Sequence, residues 1–488
     1  MAKDGQGTHA PYATMKGTRP FVMSKLLLPT QRLLRPLLWA SLVVLVLLVA
    51  ASLGPIERLQ QLRSDRAATA HVPKELSTLW EVWKIVVEDY GGKEKVDQRT
   101  LSEGAIQGMV SVLGDKAATY LTPADYDLNA PNMEAVWQAW RVLSPKLREE
   151  NASVTTQVLQ EAAIKGMLHA LGNPYTTYLL PDEYDLETQS LSSKFDGIGI
   201  YVTVINNQLA VAVPIADSPA ERAGLVTGDI ILEVDGSTTT NMTIAEAARR
   251  IRGPRGSSVE LLVLHEGDGT PRRIPVTRDV VKLQTVTWQS IGEGLAYLRI
   301  SQFLDDTDED VENALKEMVA QNVAGLILDL RRNPGGLLDT TVAVASQFLE
   351  DGLVLYQVDG HGKRTDLPVL EGGAATKIPM VVLADQASAS ASEILGGTLQ
   401  DHHRAVLIGT KTYGKGSVNE FRRLKDGSGV YMTSALWYSP DGRLIEGEGL
   451  TPDIEVPMDL GIPLGSSFDW QLYSAIQYLT GRVPSAAR

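Results

Sequence analysis

At 488 residues, with 44% hydrophobic and 21% charged side chains, the chain has room for about three modules of ~100–200 residues and is too apolar for wholesale disorder. A net charge of −14 and a pI near 5.1 oppose approach to phosphate backbones, which excludes nucleic acid as a partner. Cysteine is absent, so disulfides and thiolate metal sites are ruled out, and the seven histidines show no zinc-ligand spacing.

Leu37–Leu53 is an uncharged apolar run preceded by Lys25, Arg32 and Arg35. That pattern predicts a transmembrane signal anchor over residues 37–54, with residues 1–36 cytoplasmic and the remainder outside. A cleaved signal peptide is the alternative, although Val49-Ala50-Ala51 is a loose match to a cleavage site. Next comes a duplication: AIQGMVSVLGDKAATYLTPADYDL from Ala105 recurs 58 positions on as AIKGMLHALGNPYTTYLLPDEYDL from Ala163. Trp80 and Trp83 are answered by Trp137 and Trp140. A supersecondary unit used twice is expected, as helical hairpins over residues 73–131 and 132–190. The tryptophans and the Tyr120/Tyr178 pair read as core residues, with a binding groove as the minority reading.

From Ser193 to about Val280, short β-rich runs punctuated by Gly, Pro and Asp predict a compact β module. One helix interrupts it, from about Thr243 to Ile251, with Ala245, Ala248 and Ile251 on one face. Residues 281–460 alternate apolar strands (AYLRI, AGLILDL, PMVVLAD, AVLIG) with helices, among them one over Asp308 to Val319 and one beginning at Ser390. This pattern calls for an α/β layer with a mostly parallel sheet, and residues 461–488 form a C-terminal segment. The fold class is a multi-domain α+β chain.

Three segments carry chemistry. After the strand ending at Ala384, a loop of small residues leads to Ser390-x-x-Glu393, a helix start where backbone N–H groups stabilise developing negative charge. Ser390 there is either an ordinary N-cap or a nucleophile. After AVLIG, Lys415 stands between two glycines, and burial would lower its pKa enough for it to serve as a base. The stretch from Gly409 to Lys415 also fits the start of a phosphate loop, but Gly416 replaces the Ser or Thr and a strand-like pattern follows, which rejects nucleotide binding. The third is a strand broken at Asn333-Pro334-Gly335-Gly336, where twin glycines expose N–H groups. A Ser-His-Asp triad with Asp401 and His402 or His403 is rejected, because eleven or more helical residues put them ~16 Å from Ser390.

In this order, the segments DLRRNPGG, ASASEI and GKGSV, together with YSPDGRLIEGEGLTPDIEV, closely resemble the C-terminal processing peptidases, or tail-specific proteases. The resemblance covers roughly residues 160–457. It implies Ser390 as nucleophile, Lys415 as general base, and the N–H groups of Gly336 (or its neighbour) and Ala391 as oxyanion hole. The family commonly has Gln four residues after the lysine; here Asn419 stands there, one methylene shorter, as an orienting residue. The resemblance also makes residues 193–280 PDZ-like, with Gly197-Ile198-Gly199-Ile200 as the loop that holds a peptide's terminal carboxylate. Arg252 either relays peptide binding toward the active site or is a solvated surface arginine. Only the second helical copy falls where the family's N-terminal helices lie, so the first reads as an addition that docks a partner or covers the site.

The expected function is that of a serine endopeptidase cleaving extracytoplasmic proteins near their C-termini through an acyl-enzyme on Ser390. Neither cofactor nor metal is required. Its partners are protein or peptide substrates with exposed C-termini and, through the anchor, the inner or plasma membrane, with the catalytic part periplasmic or outside the cell; a homo-oligomer is left open. The alternative is a PDZ-type scaffold that binds C-termini and has lost turnover.

Overall fold

The structure, a computed structural model, describes residues 72–93, 95–114, 120–149 and 154–482. The anchor expected over residues 37–54 lies outside them; among the described residues no helix is long and apolar enough to cross a membrane.

Each copy of the duplication supplies two helices, Ser77–Asp89 and Gln98–Ser111, then Glu134–Glu149 and Thr156–His169. The second helix of each pair starts at a side-chain cap, where Asp97 accepts from the Arg99 and Thr100 N–H groups and Thr155 from that of Val158. These two helices cross at Gly108 and Gly166, which occupy the same position in the two copies. A Cβ on Gly108 would stand 2.0 Å from the Ala162 carbonyl oxygen, and one on Gly166 2.3 Å from that of Gly104. The repeat therefore places a missing side chain on both sides of one backbone-to-backbone contact. Trp80, Trp83, Trp137 and Trp140 are buried, with the Trp80 and Trp137 rings 6.2 Å apart, and Tyr120 and Tyr178 are buried as well, as core residues should be. Beyond this point the copies diverge. Pro181–Gln189 is a helix where the first copy has only the 3-10 turn Pro123–Asp125, and Thr177–Leu179 pairs antiparallel with the long strand Gly429–Tyr438.

The β module is an antiparallel sheet of Ile200–Ile205, Gln208–Pro214, Ile230–Val234, Ser258–Leu264 and Arg272–Thr277. Its core of Leu209, Val211, Ile231, Val259 and Leu261 is closed by Ala247 and Ile251 of the helix Ile244–Ile251, which Thr243 caps.

The third body is a six-stranded sheet in the order Val286–Gly292, Leu295–Ile300, Gly325–Asp329, Met380–Ala384, Val406–Gly409, Ile454–Glu455. The first pair is antiparallel and the others are parallel. Its central strands are mostly apolar because both faces are covered. Leu326, Leu328 and Val382 meet Val311, Leu315, Phe348, Ile394 and Leu395 on one side. Ile327, Val381, Leu383 and Ile408 meet Leu472, Ala475 and Ile476 of the helix Trp470–Leu479 on the other. That C-terminal helix is thus a layer of the third body, whereas the sequence sets residues 461–488 apart. It is pinned by Arg331, fully buried, which bonds Asp329 and Asp469 at 2.6 Å each and Gln471 at 3.1 Å.

Gly166→Ala should lower stability by roughly 1–3 kcal/mol through overpacking at the helix crossing, read as a lower urea midpoint, while Lys165→Ala on the exposed side leaves the midpoint in place. An unmoved midpoint for Gly166→Ala would mean that the crossing yields without cost.

Candidate active site

Parallel strands deliver their following loops to the same edge of the sheet, and three of those loops meet there. The loop after Met380–Ala384 carries Ser390 into the helix Ala391–Asp401 with φ 54° and ψ −115°, a region that costs a non-glycine residue ~1–3 kcal/mol. Its hydroxyl makes no side-chain cap hydrogen bond, although the residue stands in a capping box with Glu393. The loop after Gly325–Asp329 lies against it: the Ala389 N–H and the Ser392 hydroxyl each donate to the Asn333 carbonyl at 3.0 Å. Gly335, at φ 103°, comes so near that a Cβ there would stand 2.8 Å from the Ser390 Cβ. Its N–H is taken by Asn333 Oδ1 at 2.8 Å, whereas the N–H groups of Gly336 and Ala391 donate to no protein acceptor among the described residues.

Lys415 lies between the strands Val406–Gly409 and Ser417–Arg423. Ser390, Gly335, Gly336, Lys415 and Asn419 line one cavity of about 490 Å³, walled by Leu337, Ile394, Phe421 and Trp437. Lys415 Nζ lies 5.1 Å from the centre of the Tyr175 ring and 5.9 Å from that of Tyr431, which also lines the cavity. Burial pushes its pKa below that of a free lysine, against the carboxylates of Glu446 and Glu393, which pull it back up. No hydrogen bond joins Ser390 Oγ to Lys415 Nζ.

Glu393, which the sequence shows only as a capping residue, does more. It is fully buried, and each carboxylate oxygen accepts twice. Oε2 takes the Ser390 and Lys415 N–H groups, both at 2.9 Å, and Oε1 takes the Gly414 N–H at 2.7 Å and the Thr412 hydroxyl at 2.5 Å. One carboxylate therefore fixes the backbone of the candidate nucleophile to that of the candidate base. Burial raises its pKa even so, since desolvation outweighs the four bonds.

Asn419 departs from expectation. It lines the cavity but does not touch the amine: Nδ2 donates to the Tyr175 carbonyl at 2.9 Å and Oδ1 accepts from the Thr433 hydroxyl at 3.4 Å. Its short side chain is spent on the Tyr175 carbonyl and the Thr433 hydroxyl, and the amine lies instead over two tyrosine rings, which the sequence reading does not name. The histidine alternative has no geometry behind it, as His402 Nε2 pairs with the Leu353 carbonyl at 2.8 Å and Asp401 with Arg443. At the phosphate-loop near miss, the Gly416 N–H faces Glu446 Oε2 at 2.7 Å, where an anion would be repelled.

In the β module, Gly197 ends the strand Lys194–Gly197 and Ile200 opens the next. The Ile198 and Gly199 N–H groups between them donate to no protein acceptor among the described residues. A groove of about 290 Å³ runs from this turn along Ile200, Tyr201 and Val202 to Ile244, Ala248 and Ile251. Arg252 borders it. Half-buried, with its guanidinium 5.1 Å from the centre of the Phe195 ring and Nη1 buried without a partner, it is no solvated surface arginine. Ser190, in the turn after Pro181–Gln189, lines both this groove and the catalytic cavity.

Because both Glu393 oxygens face backbone N–H donors, a Gln there sets its NH₂ against at least one of them in either orientation. Glu393→Gln should therefore cost peptidase activity about as much as Glu393→Ala, at least ~10-fold. Near-normal kcat/KM for Glu393→Gln would show that the carboxylate does not fix the two loops.

Comparison with known proteins gives three domain matches: residues 294–456 to peptidase family S41, 211–264 to a PDZ domain, and 51–127 to the activating protease CtpB N-terminal domain. The last overturns the reading of the first helical copy as an addition. A carboxyl-terminal-processing protease of Synechocystis sp. is 38% identical over 332 residues, 66% of this chain and 78% of that protein. One from Picosynechococcus sp. is 36% identical over 350 residues, 70% and 84% of the two chains. A solved photosystem II D1 C-terminal processing protease shares 28% identity, with 82% of this chain aligned to 99% of that one at a TM-score of 0.46. With an S41 peptidase body, a PDZ domain and processing proteases of 36–38% identity covered over more than two thirds of their length, the chain belongs to the carboxyl-terminal-processing proteases, a family of serine peptidases.

Proposed function

We propose that Ser390 and Lys415 carry out the peptide hydrolysis. The observation that supports this most is their shared cavity: a strained serine at a helix start and a buried lysine of lowered pKa, beside two unengaged N–H groups. Rotation about the lysine's four-carbon stem brings the neutral amine to the serine hydroxyl once a peptide fills the cavity. Ser390 Oγ attacks the scissile carbonyl while its proton passes to Lys415 Nζ. The Gly336 and Ala391 N–H groups take the oxyanion. The ammonium then protonates the leaving amine, and a water deprotonated by Lys415 releases the acyl group.

The substrate is a protein with an accessible C-terminus. Its carboxylate sits on the Ile198 and Gly199 N–H groups beside Arg252, and its last residues lie as a strand between Ile200–Ile205 and Ile244–Ile251. Ser190 marks the path onward to the cavity. The apolar run and preceding basic residues support a tether at Leu37–Leu53 and an extracytoplasmic workplace. A scaffold without turnover is not favoured, because nucleophile, base and oxyanion donors all remain.

Ser390→Ala and Lys415→Ala should each abolish turnover and labelling by a fluorophosphonate; labelling that survives Ser390→Ala places the nucleophile elsewhere. In the parent, kcat/KM should rise with pH as the ammonium loses its proton, along a limb below the ~10.4 of free lysine. Glu446 holds that proton on, so Glu446→Gln should move the limb to lower pH, and a move upward would contradict the assignment. For the groove, a peptide with an amidated C-terminus should bind to the Ser390→Ala protein at least ~10-fold more weakly than its free-acid twin. Equal affinity would remove the carboxylate site and leave the hydrolytic assignment standing.

A further inference from the structure

We propose that Tyr175 and Tyr431 are positioning residues for catalysis: their rings form the seat of the Lys415 amine, a role that the amide at position 419 does not fill in this chain. The inference rests on Lys415 being the base and goes beyond that assignment to how the amine is held.

The amine lies within cation–π range of both ring faces, 5.1 Å from one centroid and 5.9 Å from the other. Both rings are themselves fixed. Tyr175 is clamped on either side through its backbone: its N–H donates to Asn173 Oδ1 at 2.8 Å, and its carbonyl accepts from Asn419 Nδ2 at 2.9 Å. Asn173 in turn bonds the Thr433 hydroxyl at 3.0 Å and the Tyr90 hydroxyl at 3.1 Å, and Thr433 closes the circuit on Asn419 at 3.4 Å. Tyr431 sits opposite Thr177 in the strand pair that joins the helical unit to the sheet, with the Phe421 ring 4.5 Å behind it. Asn419 thus acts on the amine at one remove, by holding the residue that carries the ring.

A ring face attracts the ammonium and not the neutral amine. When Lys415 takes the serine proton, the cavity is filled by substrate and little water remains to solvate the new charge. As the stem turns back from the serine, the two rings stabilise that charge where the ammonium comes to rest. Burial raises the pKa of both phenols, so the rings stay neutral through the working range. The other titratable groups facing this space are Glu393 and Glu446, which also favour the ammonium, Glu187 beside Tyr431, and Tyr413 beside the Tyr175 hydroxyl.

The test is the pH dependence of kcat and kcat/KM on a fluorogenic peptide with a free C-terminus, for Tyr175→Leu, Tyr431→Leu, Tyr175→Phe and Lys415→Ala in the full chain. Removing one ring should lower kcat ~10-fold with little change in KM and move the acid limb to lower pH by about 0.5–1 unit. Tyr175→Phe keeps the ring and should return the limb to its parental position. A folded Tyr175→Leu protein whose kcat falls on an unmoved limb overturns the seat and leaves a merely structural tyrosine. Should that variant not fold, Tyr431→Leu reads the same limb. Turnover persisting in Lys415→Ala would instead overturn the base assignment, which separates the two failures.

Discussion

A serine on one loop and a lysine on another, 25 positions apart in sequence, can act together only if both backbones are held to a common point, and the Glu393 carboxylate is that point. It has no contact with water and is closer in kind to a structural ion than to a surface charge. Taking a carboxylate out of water is costly, and the raised pKa shows that the cost is not fully recovered. What results is rigidity. Four donors on two loops converge on two oxygens, so neither loop moves without stranding a buried N–H. The strained φ of Ser390 is held by the same bond, since the residue's own N–H is one of the four. Strain of this kind persists only where the surroundings over-determine it.

The duplicated helical unit enters the same logic from outside the sheet. The second copy ends in Asn173, Tyr175 and the strand Thr177–Leu179, so the residues that fix the Tyr175 ring are continuous with a strand paired to Gly429–Tyr438. The first copy reaches the site by its connecting segment. The Gly91 N–H donates to the Thr433 carbonyl at 2.9 Å, and Lys93 Nζ to the Glu446 carbonyl at 2.8 Å. A Cβ on Gly91 would lie 2.0 Å from the Ser434 oxygen, so this segment is laid directly on the backbone of the strand Gly429–Tyr438. The unit is better described as part of the wall behind Lys415 than as a cover over the candidate site.

Much of this was legible in the residue order, and the illegible part has a physical reason. Strands buried on both faces lack alternation, which is why Gly325–Asp329 and Met380–Ala384 announce a parallel sheet. The helix start at Ser390 and the glycine-flanked Lys415 are local patterns and stand where those patterns put them. Glu393 carries a local signal too, but its partners Thr412, Gly414 and Lys415 lie nineteen to twenty-two positions away, and no local pattern reveals a second use of the same oxygens. Asn419 misleads for the converse reason: its place in the chain matches a motif, while its reach is set by one methylene. The C-terminal helix was missed because Phe468, Trp470 and Tyr473 are exposed, which blurs its apolar stripe, and because Arg331, its buried anchor, belongs to a turn more than a hundred residues earlier.

The contrast between the two binding regions then follows from how each is fastened. The loops of Ser390 and Lys415 are tied by buried bonds to a carboxylate, whereas the PDZ module is attached to the helix Thr307–Ala320 and its approach by contacts near solvent. Ser192 and Ser193 bond Asp305 at 2.8 and 2.6 Å, Lys194 pairs with Asp306 at 2.6 Å, and Lys282 with Asp310 at 2.7 Å. With the lysines about half exposed, at 53% and 48%, each such ion pair contributes ~0–1 kcal/mol. Displacing the module a short way thus costs little, while displacing Ser390 relative to the Lys415 backbone costs several buried hydrogen bonds. Ser190 and its neighbours lie where the stiff region meets the loose one, lining both the groove and the cavity.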